Sequence, residues 1–436
     1  MARRRKMRMK FNKTSQLLLV SAASLVTAAL MTSCGTNTVD FVYVASSLAA
    51  GTYNYGQIDV FEINAVSGFM RQIPASPFPS AGRDPVALAV ASDYSNLYVV
   101  NKDDNTIVQF MIGSDGKLYP ENTVNTPGIY PIADTVHGLN LFVLDTYQPL
   151  QDCSTADPCS GSVGVFPLAP TPTNASLTNP GGAPGPDPVA NGSLNYWPLT
   201  LPGNPSHIIV PTGINVLQSG AYLYVTAYDS TASPNVGYVF GFYVGTGGAL
   251  ATLNGGVPFI AGVHPSAIAS GSNTAGTYIY VTDSTNGNVL GYAVSSSVST
   301  AGFLTPLGGS PYPAGNQPSA IAVDPNYPFA YVTNSLDGNV EAYGITSTGA
   351  LANVEGSSTP VTYTSGIQPV AIGIDPGTSH FVFAVNFLGN GANGSIADFL
   401  MNTTSGTLIN AQHSPYSTNA LPTAVAAVPH DGGKPQ

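Results

Sequence analysis

Histidine is the side chain best suited to move protons near neutral pH, and this chain has six. His207 follows a proline and a serine inside a predicted strand, and His264 stands at the start of another. Asp283 ends a further predicted strand, where a carboxylate can orient a histidine that activates water. These three are the candidate catalytic residues, and a structural, hydrogen-bonded role is the alternative for each histidine. No two histidines stand four residues apart, so the sequence predicts neither a metal site nor a cofactor.

Polar residues recur at the ends of predicted strands, where they could bind a ligand. The candidate binding residues stand either directly before apolar strands or at the ends of β-branched strands: Arg83, Asp84, Asn101, Asp145, Asn204, Gln317, Asn334, Gln368 and Asn386. Asn and Asp also cap strand ends and form Asx turns, so a structural role is the alternative for each of them. The chain has no nucleophile elbow, zinc-protease motif or phosphate-binding loop.

These polar positions belong to a repeat that is clearest over residues 318–351. That stretch, PSAIAVDPNYPFAYVTNSLDGNVEAYGITSTGAL, is typical of three short strands joined by Gly, Asn, Asp and Pro turns. The FAYVTN-type strand occurs seven times, and so do the apolar strand before it and the strand after it. Most copies lie about 51 to 56 residues apart, which is long enough for a four-stranded propeller blade.

The two ends of the array complement each other. The repeats open on a middle strand at residues 41–46 and end on an apolar first strand at residues 422–428. Closing the ring would join these incomplete units and remove two exposed sheet edges. The sequence therefore predicts an all-β fold: a single seven-bladed β-propeller of four-stranded antiparallel blades over residues 41–428, closed by the C-terminal strand joining the first blade. Its first strands would line a central channel, with the polar positions around the channel mouth on the top face.

The N-terminus has the pattern of an export signal. Seven basic residues precede an apolar run at residues 17–31, and the following Met-Thr-Ser-Cys resembles a bacterial lipobox. We predict a lipoprotein signal peptide over residues 1–33, a lipidated Cys34, and an anchor linker over residues 34–40. The protein would be exported and attached to the bacterial outer membrane through the lipid alone. Ordinary secretion, with Cys34 unmodified, is the alternative.

Two further cysteines and two Pro/Gly-rich segments complete the organisation. Cys153 and Cys159 stand in the polar loop QDCSTADPCSG, and the absence of a nearby His or third Cys favours a disulfide over zinc. Residues 169–194 are biased towards Pro, Gly and Asn and are predicted to form a flexible insertion. Residues 429–436 are predicted to be a disordered tail.

The tetrapeptide Tyr331-Val332-Thr333-Asn334 and the repeat around it resemble the seven-bladed lactonase and YVTN-repeat propellers of bacteria. The resemblance covers residues 41–428. It implies the propeller fold and, for the lactonase branch, action on 6-phosphogluconolactone through a Pro-Arg-His and a Glu after a YVxN-type strand. Only His207 carries over, because Ser206 stands where the Arg would be. Tyr228 stands where the Glu would be, and Asp229 comes one position late.

Charge narrows the ligand class. Residues 34–436 contain all 23 acidic side chains but only five basic ones, which leaves a formal charge of −18 with His neutral. Only Arg83 is predicted at the channel mouth, and a negative field repels anions. We therefore predict no turnover of the phosphorylated lactone. Two functions remain open: a monomeric module that binds an envelope protein, peptide or neutral glycan but no nucleic acid, or a hydrolase of a neutral lactone or carbohydrate.

Overall fold

The structure, a computed structural model, describes residues 38–47, 55–150, 152–170, 175–177, 196–378, 380–389 and 393–430. The predicted signal peptide, Cys34, and residues 431–436 of the predicted tail lie outside the described residues. In the described part of the chain, no helix has both the length and the apolar character needed to cross a membrane.

Seven antiparallel sheets form the blades of a ring, as predicted. Strands are numbered one to four from the channel outwards, and blades one to seven along the chain. The first strands, in blade order, are Leu421–Pro429, Pro85–Val90, Ile129–His137, Ile209–Val216, Pro265–Asn273, Pro318–Val323 and Ile367–Ile374. The second strands are Thr38–Ser47, Asn96–Asn101, Asn140–Tyr147, Tyr222–Asp229, Gly276–Asp283, Phe329–Asn334 and Phe381–Leu388. The third strands are Gln57–Asn64, Thr106–Ile112, Ser162–Pro170, Val236–Val244, Asn288–Val294, Asn339–Ile345 and Ser395–Met401.

The fourth strand is continuous only in blade 2, where it spans Leu118–Asn125. In the other blades two short segments share this position: Met70–Gln72 and Phe78–Pro79, Ala175–Leu177 and Trp197–Pro198, Leu250–Thr252 and Phe259–Ile260, Leu304–Pro306 and Tyr312–Pro313, Leu351–Asn353 and Val361–Thr364, and Leu408–Asn410 and Tyr416–Ser417. Short 3-10 turns at Thr246–Gly248, Asn254–Gly256 and Val354–Gly356 lie near the outer edges. In three blades a serine hydroxyl in the break accepts a hydrogen bond from a third-strand N–H, as Ser310 does from Gly291 at 2.9 Å.

The predicted closure of the ring is confirmed. The C-terminal strand pairs with the second strand of blade 1 in an antiparallel register that runs from Asp40 opposite Pro429 to Ser47 opposite Leu421. The strand at the N-terminal side begins at Thr38, three residues before the predicted start. Because both chain ends share one sheet, neither leaves an unpaired first or second strand.

The Pro/Gly-rich segment differs from its prediction in one respect. The third strand of blade 3 runs to Pro170, and Ala175–Leu177 pairs with it, Leu168 opposite Leu177. Part of the 169–194 segment therefore supplies the outer strand of blade 3, because the ladder of the third strand needs a partner there. The remainder of that segment lies outside the described residues.

The core lies between successive blades and is built largely from second strands. Tyr331 of blade 6 is fully buried and packs with Val382 and Phe399 of blade 7. Its hydroxyl donates to the carbonyl of Gly406 in the next blade at 2.9 Å, where the glycine has a left-handed φ of 75°. The same link joins Tyr43 to Gly116, Tyr224 to Gly302 and Tyr280 to Gly349. The tyrosine of the YVTN-type strand thus packs in the core and also forms a hydrogen bond to the next blade.

Every blade has a bulge where its first strand meets the top face. In blade 6 the register shifts between Pro318 and Ala320, so that Ser319 is the extra residue. The equivalent residues elsewhere are Thr423, Val86, Ile132, Thr212, Ser266 and Val370. A bulge changes the direction of a side chain relative to the strand. In blade 6 the hydroxyl of Ser319 donates to the carbonyl of Pro369 in the next blade at 2.7 Å.

Candidate functional site

A histidine–carboxylate pair lies on the top face of blade 4. The first strand of that blade begins at Ile209, so His207 lies in the connection before it and not inside the strand as predicted. Nδ1 of His207 makes a short hydrogen bond to Oδ2 of Asp229, the last residue of the second strand. The backbone fixes the histidine as well, since its carbonyl accepts from Ser160 Oγ at 3.1 Å. The end of the second strand therefore holds Asp229, and the hydrogen bond from Ser160 holds the backbone of His207.

Exposure and charge suit this pair to general-base chemistry. The side chain of His207 is 37% exposed, whereas that of Asp229 is 2% exposed. Burial raises the pKa of Asp229, but hydrogen bonds from the Thr231 hydroxyl and from His207 outweigh it and hold the pKa below its ordinary value. Asp229 is thus a carboxylate at neutral pH. Asp229 accepts a hydrogen bond from the N–H at Nδ1, and the lone pair of the imidazole is then on Nε2.

A second imidazole lies beside the first. The ring of His264 stacks on Tyr228 with a centroid distance of 4.1 Å, and Tyr228 is the chain neighbour of Asp229. Nδ1 of His264 lies 3.1 Å from the hydroxyl of Ser284. His264 of blade 5 therefore contacts blade 4 through Tyr228, the residue before Asp229.

Asp283 does not orient either histidine, which corrects the predicted catalytic role. Its carboxylate is fully buried and accepts hydrogen bonds from the backbone N–H groups of Val263 and His264 at 2.8 and 3.1 Å. The backbone of Thr285 and both the backbone and side-chain nitrogens of Asn286 also donate to it. Asp283 therefore joins two connections of the top face, as an Asx-type cap does.

Four predicted binding residues are inaccessible. Asn101, Asp145, Asn334 and Asn386 each lie within the last three residues of a second strand and are fully buried. Asn386, for example, accepts from Ser365 Oγ at 2.7 Å and donates to Ser395 Oγ at 3.1 Å. Their side chains tie the connections of the top face together from below, so a ligand at the channel mouth cannot contact them without rearrangement. For these positions the structural alternative fits better than binding.

The residues before the first-strand prolines behave differently. Asp84, Tyr130, Gln317 and Gln368 each precede a proline and hold φ values of 52–54°. A non-glycine residue in this region is strained, and such strain often accompanies a functional surface. Gln317 and Gln368 are exposed on the top face, as predicted. Asp84 accepts a short hydrogen bond from Ser47 Oγ and is contacted by a lysine.

The other two predicted binding residues differ in their distance from the histidines, since the carbonyl of Asn204 accepts from the backbone N–H of His207 at 3.2 Å whereas Arg83 lies on another side of the ring. Asn204 is exposed and precedes the first strand of blade 4 by five residues, in a bridge with Leu201. Arg83 forms an ion pair with Asp104 at 2.6 Å, on the top face between blades 1 and 2. Neither is in the set formed by His207, Asp229 and His264.

Positive charge is confined to one side of the ring. Each basic side chain that the structure describes, namely Arg71, Arg83, Lys102 and Lys117, is ion-paired and belongs to blade 1 or blade 2 or to the connection between them. The sequence has no Lys or Arg between Lys117 and Lys434. Blades 3 to 7, which carry both histidines, therefore have no Lys or Arg that could pair with a phosphate.

Comparison with known proteins agrees with this architecture. Residues 265–428 match the family described as lactonase, 7-bladed beta-propeller. The periplasmic gluconolactonase of Pseudomonas aeruginosa is similar in structure, with a TM-score of 0.65 and 18% identity, over 90% of this chain and 99% of that chain. A candidate 6-phosphogluconolactonase of Bacteroides fragilis has a TM-score of 0.62 and 17% identity, over 90% and 99% of the two chains. No curated protein matches the chain in sequence.

This chain is a seven-bladed β-propeller, and over residues 265–428 it is similar to the lactonase family. The resemblance predicted from the YVTN repeats is thereby confirmed for the fold. In this lactonase-like propeller the described residues contain no cluster of three or more His, Cys, Asp or Glu side chains able to hold a metal ion. Cys153 and Cys159 have Cα atoms 5.5 Å apart, a separation that a disulfide can span, and their pairing stays a prediction.

Sequence reasoning missed the partner of His207 and the stacked ring of Tyr228. Asp229 was noted only as a carboxylate one position beyond the expected one. A signal was present, because the second strands end close to the top face, and in blade 4 the last residue is Asp229. The second strand of blade 4 spans Tyr222–Asp229 and so continues beyond residues 224–227, the Tyr-Val-Thr-Ala segment that corresponds to the YVTN tetrapeptide.

Proposed function

We propose that this lactonase-like propeller hydrolyses a neutral lactone at the His207–Asp229 pair. The observation that supports the proposal most directly is the hydrogen bond between His207 Nδ1 and the buried carboxylate of Asp229. A histidine held in this way is the usual arrangement of a general base. The fold is also shared with proteins named for lactone hydrolysis, the gluconolactonase of Pseudomonas aeruginosa among them.

In the proposed reaction, Nε2 of His207 takes a proton from a water molecule whose oxygen attacks the carbonyl carbon of the lactone. The ring C–O bond then breaks as the tetrahedral intermediate collapses. The proton on Nε2 passes to the departing alkoxide, which gives a hydroxy acid and restores neutral His207. Asp229 stabilises the imidazolium that forms between these two proton transfers.

The proposal specifies a neutral substrate. Ser206 precedes His207 where the lactonase branch has an arginine, and blades 3 to 7 have no Lys or Arg. The formal charge of −18 on residues 34–436 opposes the approach of an anionic lactone and favours the departure of the carboxylate product.

The test compares two substrates and two variants. Purified full-length protein in detergent should accelerate ring opening of D-glucono-1,5-lactone above the spontaneous rate, with little action on the 6-phosphorylated lactone. His207→Ala should lower kcat by about 10²- to 10⁴-fold, the contribution of a general base. His380→Ala, which changes a histidine on the bottom face, should retain the rate. A wild-type rate equal to the spontaneous one for a panel of neutral lactones would reject the proposal.

A binding module without hydrolysis is the second candidate. A polar groove on the top face, described below, favours it, because a ligand could be held there without any chemistry. Retained ligand binding together with an undetectable lactone-hydrolysis rate in the wild type would select this alternative.

We also propose that the protein is exported and attached to the outer membrane through lipid on Cys34. The support is the basic N-terminus followed by an apolar run and the Met-Thr-Ser-Cys motif. Mass spectrometry of the membrane fraction should find diacylglycerol on Cys34, and Cys34→Ala should release the protein or block its processing. An unmodified N-terminus at another residue would contradict the proposal.

A further inference from the structure

A polar groove lies on the top face between blades 5 and 6, and His264 is one of the residues that line it. Its volume is about 620 Å³, and its lining includes His264, Ser284, Thr285, Asn286, Asn316 and Gln317. Leu336, which is 64% exposed, forms part of its rim. We call this feature the blade 5–6 groove. A volume of this size is in the range of sites for small organic ligands, roughly 300 to 1,000 Å³.

The walls of the groove are firmly held. Ala314 N donates to Gly287 O at 3.0 Å, which joins blade 6 to the turn of blade 5. Asp337 accepts from the backbone N–H of Asn316 at 2.7 Å and from its side-chain nitrogen at 2.8 Å. Gln317 is fixed by a hydrogen bond from Ser335 N to its carbonyl at 2.9 Å. A preformed surface of this kind does not have to be ordered when a ligand binds.

The polar groups of the groove have unused hydrogen-bonding capacity. Within the described residues, the carboxamide of Gln317 and the hydroxyl of Thr285 have no hydrogen-bond partner, although both residues are exposed to the groove. The side chains of Asn286 and Asn316 donate to Asp283 and Asp337, and their carbonyl oxygens face no donor among the described residues. The left-handed φ of Gln317, 52°, is a strain that aims this side chain at the channel mouth.

The charge of the groove selects against anions. None of its lining residues is a Lys or Arg, and the carboxylates of Asp283 and Asp337 support its walls from behind. Hydroxyl, carboxamide and aromatic groups together suit a ligand that has many neutral hydroxyls and an apolar ring face, which describes a pyranose. The aromatic group of the lining is the imidazole of His264, whose other neighbour is the ring of Tyr228.

We propose that the blade 5–6 groove binds a neutral oligosaccharide. This inference rests on the proposed function for its second part: a sugar chain in the groove would place its terminal ring near His207 and Asp229. The substrate would then be the lactone of an oxidised neutral oligosaccharide rather than of a single sugar. Carboxamides would donate to and accept from the sugar hydroxyls along the groove.

Binding is tested by calorimetry, without reference to hydrolysis. The full-length protein is titrated with cellotetraose, maltotetraose and xylotetraose, with glucose as the single ring and tetragalacturonic acid as the anion. At least one neutral tetrasaccharide should bind ten-fold or more tightly than glucose, and the anionic tetramer should bind more weakly. Failure of all three to bind, or tighter binding of the anionic tetramer, would overturn the inference.

Variants locate the binding and separate it from the chemistry. Gln317→Ala should weaken tetrasaccharide binding at least five-fold, and Gln317→Gly, which suits the left-handed backbone, should do the same if folding limits the first variant. Gln368→Ala is the matched control, because Gln368 occupies the equivalent strained position in blade 7, outside the groove. Equal binding by both Gln317 variants and the wild type would overturn the inference.

The two proposals fail in different ways. His207→Ala should keep most of the tetrasaccharide affinity, since His207 does not line the groove and contacts at most the terminal ring. If the tetrasaccharide binds and the wild type opens no lactone, the groove stands and the hydrolase proposal falls. If D-gluconolactone is hydrolysed with the same KM as the oxidised tetrasaccharide lactone, the second part of the inference falls while hydrolysis stands.

Discussion

At the scale of single residues, the place of Asp229 decides whether His207 has a carboxylate partner or lacks one. Asp229 comes one residue later than the Glu expected from the resemblance, yet its carboxylate reaches His207. The strand ends at Asp229, so its side chain lies at the top face, whereas Tyr228 before it contributes the ring that stacks on His264. The geometry of the strand end decides which side chain meets the imidazole.

Exchanging the carboxylate for an amide tests this pairing. Asp229→Asn should lower kcat for a neutral lactone by about 10²-fold or more, because the amide cannot stabilise an imidazolium and favours the wrong histidine tautomer. Asp283→Asn is the comparison, since Asp283 caps backbone groups and contacts no imidazole nitrogen. It should lower the thermal midpoint and leave kcat within about three-fold. The reverse pattern in lactone assays and melting curves would show that Asp283 is the functional carboxylate.

At the scale of strands, the repeated tyrosine carries a link between blades. The hydroxyl of Tyr331 is buried and donates to the Gly406 carbonyl of the next blade, whose left-handed φ of 75° suits glycine. Blades 3 and 7 have Phe142 and Phe383 at the equivalent position and lack this hydroxyl. The link is therefore useful but not required in every blade.

Removing one hydroxyl should show what the link contributes. Tyr331→Phe should lower the free energy of unfolding by about 1 kcal/mol, because a buried carbonyl loses its donor while the ring still packs. Tyr119→Phe changes an exposed tyrosine of an outer strand and should leave the stability unchanged. Urea denaturation followed by tyrosine fluorescence measures both. Equal midpoints for the two variants would contradict the role assigned to the Tyr331 hydroxyl.

The bulge residue at the top of a first strand can form a second hydrogen bond between blades, which mutation can remove from one blade and introduce in another. Ser319→Ala should cost about 1 kcal/mol, since the Pro369 carbonyl loses a donor 2.7 Å away. Val370 is the equivalent residue of blade 7 and has no hydroxyl. Val370→Thr keeps the shape of the side chain and should raise the urea midpoint by forming the missing bond to blade 1. A lowered midpoint for Val370→Thr would show that blades 7 and 1 do not meet as blades 6 and 7 do.

At the scale of the whole molecule, several carboxyl groups are buried without cationic partners. Burial, followed by the nearby carboxylates of Asp375 and Asp398, raises the pKa of Asp40 to about 8. Burial also raises the pKa of Asp134 and of Asp145 to about 8. Asp40 lies in the sheet that closes the ring, opposite Pro429 of the C-terminal strand. Ring closure is thus coupled to the protonation of a buried acid.

The sign of the pH dependence follows from these shifts. A carboxyl with a higher pKa in the folded than in the unfolded chain is protonated more readily when folded, so stability is greatest at low pH. It should fall as the pH rises from about 4 to about 8, because over this range the folded chain binds more protons than the unfolded chain. Thermal midpoints measured across this range should therefore decline towards alkaline pH.

Asp40→Asn should flatten that decline and raise the midpoint at pH 8, because the amide has no proton to lose. Asp157→Asn, which changes an exposed loop carboxylate, should leave the profile as in the wild type. A stability profile that rises between pH 4 and pH 8, or one that Asp40→Asn does not alter, would contradict this account of the buried acids.

Closure of the blades into a ring follows from the amino-acid sequence alone. Seven copies of each strand and the two incomplete units at the chain ends require closure, because a β-sheet edge left unpaired is costly. The absence of Lys and Arg from blades 3 to 7 is likewise a property of the chain alone, and it determines the sign of the field at the channel mouth. Local patterns of apolar alternation and turn residues carry this information directly.

Which polar residues are accessible, and which of them contact each other, depends on the tertiary fold. Asn101, Asn334 and Gln317 look alike in sequence, yet the first two are buried beneath the top face and the third is exposed on it. The difference goes with backbone conformation, since Asn101 and Asn334 are the last residues of second strands whereas Gln317, before the first-strand proline, has a left-handed φ of 52°. The contact of His207 with Asp229, 22 residues apart, depends in the same way on where two strands end.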